Sequence, residues 1–124
     1  MRVLLVEDND LNRDMLSRRL RHAGHEVIEA ADGLAAVERA RLDQPDIILM
    51  DLGLPGLDGH AATRRIKADP ATRAIPVVAL TAHAFAEHRM QSVAAGCDEF
   101  HTKPVELPTL LTTMNRLCPT QDLP

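Results

Sequence analysis

Apolar and polar positions alternate in two rhythms along the chain, and each rhythm predicts a different element. Short apolar runs predict strands at residues 2–6, around Val27-Ile28, at 46–50, at Val77–Leu80 and at Glu99–Thr102. Helical spacing predicts helices at residues 10–22, Leu34–Leu42, 58–68 and Ala84–Ala95, with another from Glu106 onward. Five strand–helix repeats in 124 residues predict an α/β fold, a doubly wound five-stranded parallel sheet of the (βα)5 type.

Residues that commonly cap or terminate helices lie at the ends of the predicted helical segments. Gly24 and Gly96 follow the first and fourth helical segments, as glycines commonly do. Asp58 can cap the third helix, and Pro108 fits the first turn of the fifth. These residues support the predicted order of elements independently of the apolar spacing.

Composition indicates one globular domain. We expect residues 1–118 to form this domain and residues 119–124 to be a short C-terminal tail. The formal net charge of −4 and the absence of Trp and Tyr argue against direct nucleic-acid binding. No signal-peptide pattern precedes the first strand, and no apolar stretch reaches the roughly 18 residues of a membrane span. The sequence therefore predicts a cytoplasmic protein without membrane insertion.

The cysteines and histidines form no metal-binding pattern. Cys97 and Cys118 lack the spacing of a zinc site or a disulfide framework, so we expect free thiols in a reducing compartment. The six histidines are dispersed, and the simplest interpretation of His60, His88 and His101 is that they are surface residues. A metal site built from these residue types is therefore not predicted.

Charged and polar residues follow the predicted strands. Glu7 and Asp8 follow the first strand, and Asp51 follows the third. Thr81 follows the fourth strand, and Lys103 follows the fifth. Parallel sheets of this kind bind ligands beyond the carboxyl ends of their strands. Because clustered acids repel one another unless a cation lies among them, the pattern predicts a divalent-metal site that contains an acceptor aspartate.

These residues occur in motifs that resemble a known family. The run Val6-Glu7-Asp8-Asn9, the segment Asp51–Gly59, Thr81-Ala82 and Lys103-Pro104 resemble the CheY-like receiver domains of two-component response regulators. The motifs occur in the family's order at the ends of successive strands and span essentially the whole chain. The resemblance implies the flavodoxin-like receiver fold and a phosphoacceptor role in phosphorelay signal transduction, with the chain expected to be a stand-alone regulator.

The resemblance also implies an acceptor and a metal. Asp51 would be the phosphoacceptor and Mg²⁺ the cofactor. Asp8 and Asp51 would bind the metal, with Glu7 nearby or acting through water and Gly53 contributing its backbone carbonyl oxygen. The chemistry agrees with this assignment, because Mg²⁺ prefers oxygen ligands and Asp51 must be ionised to attack phosphorus.

Further roles implied by the resemblance concern the phosphoryl group and the response to it. Thr81 would donate a hydrogen bond to that group, and Lys103 would pair with it electrostatically. Phe100, three residues before the lysine, would be the switch aromatic, although it lacks the hydroxyl of a tyrosine. The Lys103-Pro104 bond resembles one that is cis in this family.

Two positions next to the acceptor are predicted to modulate the phosphoryl lifetime. Gly53 lies two residues after Asp51, and His83 lies two residues after Thr81. A side chain at either position should face the acceptor Asp51. Gly53 removes any side chain that could shield or orient water, whereas His83 is equally compatible with simple exposure.

Two surfaces are candidates for partner binding. Leu11 and Met15 form a small apolar stripe on the first helix, which with Val105 could dock a histidine kinase or a histidine phosphotransfer protein. Phe85 lies early in helix four, off the stripe of Ala86, Met90 and Val93, and is expected to suit an output surface for an unknown downstream protein. Partial burial of Leu11 and Met15 is an equally simple explanation of the first surface. For Phe85, the equally simple explanation is that single exposed apolar residues are common.

Alternative functions remain open from the sequence. The chain could be a phosphorylation-independent interaction module that keeps the fold, or a receiver fragment of a hybrid histidine kinase. We expect no turnover substrate, so the chain is not predicted to be an enzyme beyond assisting its own phosphorylation and dephosphorylation. A phosphatase with an aspartyl intermediate is a weaker alternative, because position 53 is Gly where such enzymes usually have Asp. A dinucleotide binder is weaker still, since no Gly-x-Gly-x-x-Gly motif follows the first strand.

Overall fold

The structure, a computed structural model, describes residues 1–54, 57–82 and 86–119, and for residues 86–89 it describes only the backbone. His83 and Phe85 lie outside the described residues, as does the predicted tail beyond residue 119. No helix in the described part of the chain is long and apolar enough to cross a membrane.

Five strands and five helices alternate in the described chain. They are β1 Arg2–Val6, α1 Asp10–His22, β2 Glu26–Ala30, α2 Gly33–Asp43, β3 Ile47–Asp51, α3 Gly59–Ala68, β4 Val77–Thr81, α4 Ala86–Ala95, β5 Glu99–Thr102 and α5 Leu107–Leu117. The strands form one parallel sheet in the order β2-β1-β3-β4-β5. The predicted α/β class, with a doubly wound five-stranded parallel sheet, is confirmed.

Side chains of the central strands alternate between two apolar cores, one on each face of the sheet. Leu4 and Val6 of β1 belong to the core that α2 and α3 cover, whereas Val3 and Leu5 belong to the core under α1 and α5. β3 follows the same period of two, and all five of its residues are buried. The continuous apolar runs of the sequence are therefore strands buried on both faces.

Side-chain caps begin three of the helices. Asn9, Asp32 and Asp58 each accept a hydrogen bond from the backbone N–H three residues later, at 2.8–2.9 Å. Each cap satisfies a donor that would otherwise lack an intrahelical partner. After α1 and α4, Gly24 and Gly96 take φ values of +97° and +103°, which side chains other than glycine disfavour. The predicted roles of Asp58, Gly24 and Gly96 in ending or beginning helices are confirmed.

Several predicted boundaries differ from the observed ones by a residue or two. β3 and β4 each extend to the polar residue that was expected to follow them, because Asp51 and Thr81 still pair within the sheet. β2 is longer than Val27-Ile28 because the whole of Glu26–Ala30 pairs with β1. α5 begins at Leu107, and Glu106 is its N-cap residue without a side-chain cap bond.

The buried face of α4 differs from the apolar stripe in its sequence. Met90 and Val93 are 71% and 66% exposed, so the stripe is not the packing face. Small side chains are buried instead: Ser92 is fully buried and Ala95 nearly so. Ser92 Oγ lies 3.2 Å from His60 Nε2 on α3, so the side of α4 that carries Ser92 faces α3.

Two histidines interpreted as surface residues are half-buried and hydrogen-bonded. His60 contacts Ser92, and His101 Nε2 lies 2.8 Å from Thr113 Oγ1 on α5. The interpretation was wrong for both, because short hydroxyl side chains on neighbouring helices leave space for an imidazole. The two cysteines, as predicted, are free thiols.

The close packing of Gly59 against β3 gives a test of the fold. In Gly59→Ala, the new Cβ would lie 2.8 Å from Leu52 Cα and also crowd the Asp51 carbonyl oxygen. We expect the free energy of unfolding to fall by about 1–3 kcal/mol, which outweighs the roughly 1 kcal/mol helix preference of Ala over Gly. Chemical denaturation of the metal-free protein measures the change.

Gly53→Ala is the matched control for this substitution. Among the described residues its Cβ would meet Asp51 Oδ1 alone, at 3.7 Å, an ordinary contact distance. We expect a change within about 0.5 kcal/mol, as at open surface positions. Equal stability of the two variants would contradict the packing described for Gly59.

Candidate functional site

The strand order brings the predicted site residues to one edge of the sheet. β3 lies between β1 and β4, and β5 follows β4, so the carboxyl ends of these four strands are neighbours. Glu7 and Asp8 follow β1, Asp51 ends β3 and Thr81 ends β4. Lys103 follows β5 and reaches back across this edge. The sheet therefore assembles residues that are distant in the sequence.

Lys103 forms ion pairs with two of the carboxylates. Its Nζ lies 3.3 Å from Glu7 Oε1 and 3.3 Å from Asp51 Oδ2. Both acids are nearly inaccessible to solvent, with exposed fractions of 6% for Glu7 and 7% for Asp51. A single ammonium group thus offsets part of the charge of two buried carboxylates. The backbone N–H of Lys103 also donates to the Thr81 carbonyl oxygen at 2.7 Å, which fixes the start of the lysine loop.

The two buried acids differ in their proton affinity. Burial raises the pKa of Glu7 to about 7, the adjacent Asp51 carboxylate adds to the rise, and Lys103 offsets part of it. Burial also acts to raise the pKa of Asp51, but the hydrogen bonds from Glu7 and the Gly53 N–H, together with Lys103, lower it below its usual value. Asp51 is therefore the group kept ionised, as a nucleophilic carboxylate must be.

Asp51 lies in an open cleft of about 500 Å³. The Gly53 N–H donates to Asp51 Oδ1 at 3.0 Å, and this hydrogen bond orients the carboxylate. Thr81 and Lys103 line the same cleft, together with Asp58 and His60 from the beginning of α3. The cleft is large enough for a phosphoryl group next to the carboxylate, the hydroxyl and the ammonium.

The acidic cluster fits a divalent cation. Carboxylate oxygens of Glu7, Asp8 and Asp51 lie within 4.8 Å of one another, close enough for one ion to bridge. Asp8 is exposed, whereas its two partners are buried, so an ion can approach from the solvent side. An all-oxygen set with room for water suits Mg²⁺, which retains several water ligands.

The remaining predicted residues are placed as follows. Thr81 is buried at the end of β4, and Phe100 is half-buried in β5, where it pairs with Ala79. The Lys103-Pro104 peptide bond is cis, as the resemblance implied. A side chain at position 53 would face Asp51, because a Cβ built there lies 3.7 Å from Oδ1. The corresponding expectation for His83 lies outside the described residues.

A groove of about 480 Å³ adjoins the acidic cluster. Met15 and Val105 line it together, with Leu16 and Arg19 of α1. Leu11 precedes Met15 by about one turn and is 67% exposed, but it does not line the described groove. The structure thus joins two of the three residues predicted to meet a phosphodonor and leaves the third on the adjacent rim. Phe85, predicted for a second surface, lies outside the described residues.

Two residues near the site were missed by the sequence analysis. Arg13 donates from Nη1 to the Glu7 carbonyl oxygen at 2.8 Å, and His60 lines the acceptor cleft. A signal for Arg13 was present, because it lies three residues after Asp10 at the start of a capped helix, where an acid–base pair is expected. No comparable signal marked His60, whose position depends on how α3 and α4 pack.

The fold and the site together define a class of protein. An open parallel sheet with a ligand cleft at its carboxyl edge, an acidic cluster and a paired lysine is the architecture of an α/β ligand-binding domain. The sequence profile of the response regulator receiver domain matches residues 3–115. The chain belongs to the family of response regulator receiver domains.

Relatives agree with this assignment. Protein PilH of Pseudomonas aeruginosa is 38% identical over 114 residues, which are 92% of this chain and 94% of PilH. Response regulator PleD of Caulobacter vibrioides is 42% identical over 105 residues, or 85% of this chain, but the match spans only 23% of PleD.

Solved structures show the same fold. The receiver domain of the sensor histidine kinase PA1611 from Pseudomonas aeruginosa is 39% identical, with a TM-score of 0.89 over 96% of this chain and 98% of that domain. That crystal structure has a magnesium ion coordinated in the active-site cleft. The chemotaxis protein CheY4 of Vibrio cholerae is 31% identical, with a TM-score of 0.88 over 94% of this chain and 97% of CheY4. Magnesium is thus the metal found in the active-site cleft of a relative of this chain.

The raised pKa of Glu7 predicts that magnesium affinity depends on pH. Magnesium favours the ionised cluster, so binding must displace the proton that Glu7 holds below pH 7. We expect affinity to rise about tenfold between pH 6 and pH 8, which is the change in the ionised fraction of a group with a pKa of about 7. Calorimetric titration at the two pH values measures the change. Glu7→Gln should bind with nearly the same affinity at both, and a pH-independent wild type would contradict the assignment.

Proposed function

We propose that this receiver domain accepts a phosphoryl group on Asp51 from a phosphohistidine and changes its partner binding in response. The observation that carries the proposal is the pairing of Lys103 with both Glu7 and Asp51 at the edge of an open cleft. Lys103 Nζ lies 3.3 Å from a carboxylate oxygen of each acid. Lys103 lies beside the Asp51 carboxylate, which the hydrogen bonds from Glu7 and the Gly53 N–H keep ionised despite its burial.

The chain's own residues supply most of what the transfer needs. A carboxylate oxygen of Asp51 attacks phosphorus, the new P–O bond forms, and the bond from phosphorus to the donor imidazole breaks. The electron pair of that bond stays on the departing nitrogen. The Gly53 N–H orients Asp51, while Lys103 and the Thr81 hydroxyl meet the charge that spreads over the phosphoryl oxygens.

Magnesium would be held by Asp8, Asp51 and the Gly53 carbonyl oxygen, with Glu7 acting directly or through water. When bound, it supplies positive charge that neutralises the carboxylates and the phosphoryl oxygens. The donor set supports this role, because three carboxylates gathered at one edge cannot all remain ionised without a cation.

The response to phosphorylation would begin at Thr81. A phosphoryl group adds about −1.5 to −2 charge units, so the Thr81 hydroxyl would move toward it as a donor. Phe100 would then occupy space behind Thr81. Two such states must differ by only a few kcal/mol for one modification to shift their populations. The adjacent positions of Thr81 and Phe100, at the end of β4 and within the neighbouring β5, support this linkage.

The functional context of the domain is also part of the proposal. The donor would be a histidine kinase or a histidine phosphotransfer protein, the output partner a downstream protein, and the compartment the cytoplasm. The domain would assist its own phosphorylation and dephosphorylation without turning over a substrate. Relatives include both PilH, matched over 94% of its length, and a receiver domain of a sensor kinase, so a stand-alone arrangement stays a prediction.

Loss of the acceptor provides the test of this function. Incubation with Mg²⁺ and acetyl phosphate should add the mass of one phosphoryl group to the intact wild-type protein. Asp51→Asn should show no gain because it lacks the nucleophilic carboxylate, whereas Asp14→Asn on the exposed face of α1 should react as the wild type does. Intact-protein mass spectrometry measures all three. A wild type that gains no mass would favour the rival phosphorylation-independent interaction module.

The groove beside the cluster predicts a selective loss of transfer from protein donors. Met15→Ser removes apolar contact from the groove wall, so phosphotransfer from a phosphorylated histidine phosphotransfer protein should slow by about tenfold or more, as for a central interface residue. Phosphorylation by acetyl phosphate should be unchanged, since that donor needs no groove. Leu42→Ser, at a residue 61% exposed on α2, is the matched control and should not alter either reaction. Equal slowing with both donors would contradict docking at this surface.

Position 53 is predicted to set the lifetime of the aspartyl phosphate. A side chain added there would lie beside Asp51 Oδ1, where attacking water must approach. We expect Gly53→Asn to change the dephosphorylation rate severalfold, while Ala74→Asn, at an exposed position just before β4, leaves it unchanged. Decay of the phosphorylated species, followed by mass after donor removal, measures the rate. His83→Ala tests the second proposed modulator in the same assay, and an unchanged rate would remove His83 from this role.

A further inference from the structure

Arg13 binds the loop between β1 and α1 on both sides of Asp8. Its guanidinium Nη1 donates to the carbonyl oxygen of Glu7 at 2.8 Å. Its backbone N–H donates to the carbonyl oxygen of Asn9 at 2.9 Å. The bond to Asn9 is the ordinary first backbone bond of α1, which any non-proline residue at position 13 makes, so the bond to Glu7 is the one that depends on the arginine side chain.

The guanidinium is itself held in place by carboxylates. Nη2 lies 2.6 Å from Asp10 Oδ1, and Nε lies 3.9 Å from Glu29 Oε1 on β2. Ser17, which is fully buried, donates to the same Glu29 oxygen at 2.8 Å. Only 19% of the Arg13 side chain is exposed. Three different nitrogens thus make three contacts, a geometry that the planar fork of arginine allows and a lysine cannot reproduce.

The loop has few other constraints. The Glu7 N–H donates to the Ala30 carbonyl oxygen at 3.0 Å, and the Asn9 side chain caps α1 by accepting from the Asn12 N–H. Asp8 lies between these two fixed points and is exposed. The carbonyl of Glu7 marks where the chain leaves β1, and Arg13 is the side chain that binds it.

We propose that Arg13 is a positioning residue of the metal site, whose guanidinium fixes the main chain at Glu7, next to Asp8, so that the Asp8 and Glu7 carboxylates face a common ion. The proposal rests on the proposed function only to the extent that the acidic cluster binds magnesium. Arg13 contacts the loop that carries the ligands and does not contact the ion. In other proteins, residues that do not touch the metal but hydrogen-bond to its ligands orient those ligands in a comparable way.

An electrostatic role and a positioning role of Arg13 predict opposite effects of its removal on magnesium affinity. A guanidinium near the acidic cluster repels a second cation, so a purely electrostatic role would oppose magnesium binding. Removal of the charge would then tighten binding. A positioning role predicts the reverse, because a loop that can move must be reordered when the ion binds. The sign of the change in affinity therefore separates the two explanations.

Magnesium titration calorimetry of Arg13→Met is the test. We expect the dissociation constant to rise about tenfold, the lower end of the range for residues that orient metal ligands. Arg18→Met removes the same charge from the exposed face of α1, where Arg18 is 76% exposed and pairs with Asp14. That control should bind magnesium as the wild type does. Tighter or unchanged binding by Arg13→Met would overturn the proposal.

Arg13→Lys keeps the positive charge and is a second test in case Arg13→Met does not fold. Its single ammonium cannot bond the Glu7 carbonyl and Asp10 with separate nitrogens, so magnesium binding should still be weaker than in the wild type. Binding equal to the wild type would overturn the proposal. Thermal melting of each variant in EDTA shows that titrations are made on folded protein.

The wild type separates failure of this inference from failure of the proposed function. If the wild type neither binds magnesium nor becomes phosphorylated on Asp51, the function fails and the inference fails with it. If the wild type does both while the Arg13 variants bind magnesium equally well, only the inference fails.

Discussion

The ion pairs of Lys103 are the interaction on which the site depends. Lys103 Nζ lies 3.3 Å from both Glu7 Oε1 and Asp51 Oδ2, although Lys103 and Glu7 are 96 positions apart in the chain. Burying two carboxylates side by side is costly unless positive charge accompanies them. The parallel sheet meets this requirement, because β1, β3 and β5 all end at the same edge and Lys103 reaches both carboxylates there. The sheet, in turn, is held by apolar strands that alternate between two cores.

The buried charges that lower the stability of the fold also favour the ionised form of Asp51. The pKa of Glu7 is raised and that of Asp51 is lowered. Asp51 therefore remains a carboxylate, and the repulsion between the two acids is relieved by a proton on Glu7. The ammonium of Lys103 and a divalent cation both carry the positive charge that can balance these carboxylates. Arg13 adds a constraint of a different kind, because it acts on the main chain of the ligand loop. The groups that bear on stability, on the fit of a cation and on the proposed phosphoryl transfer thus lie at one edge of the sheet.

The sequence was sufficient to predict the fold and the membership of the acidic cluster. Apolar runs buried on both faces identify β1, β3 and β4, and the position of Asp51 after such a run places it at the carboxyl edge. The buried face of α4 could not be predicted, because Met90 and Val93 have helical spacing but the packing is decided by the fit of Ser92 against His60. Arg13 was overlooked although its partner Asp10 lies on the same helix, whereas His60 and Ser92 lie on different helices. The contact between His60 and Ser92 depends on the approach of separate elements, which the periodicity of one element does not encode.

The most direct test of the account is a comparison of magnesium binding with phosphorylation in one protein sample. The magnesium dissociation constant is measured by calorimetry, and the initial rate of phosphoryl incorporation from acetyl phosphate is measured by intact mass over the same magnesium concentrations. The account predicts one ion bound per chain, a rate that is half-maximal near the dissociation constant, and no incorporation in EDTA. Incorporation at the full rate in EDTA, or saturation of the site by magnesium without any effect on the rate, would contradict it.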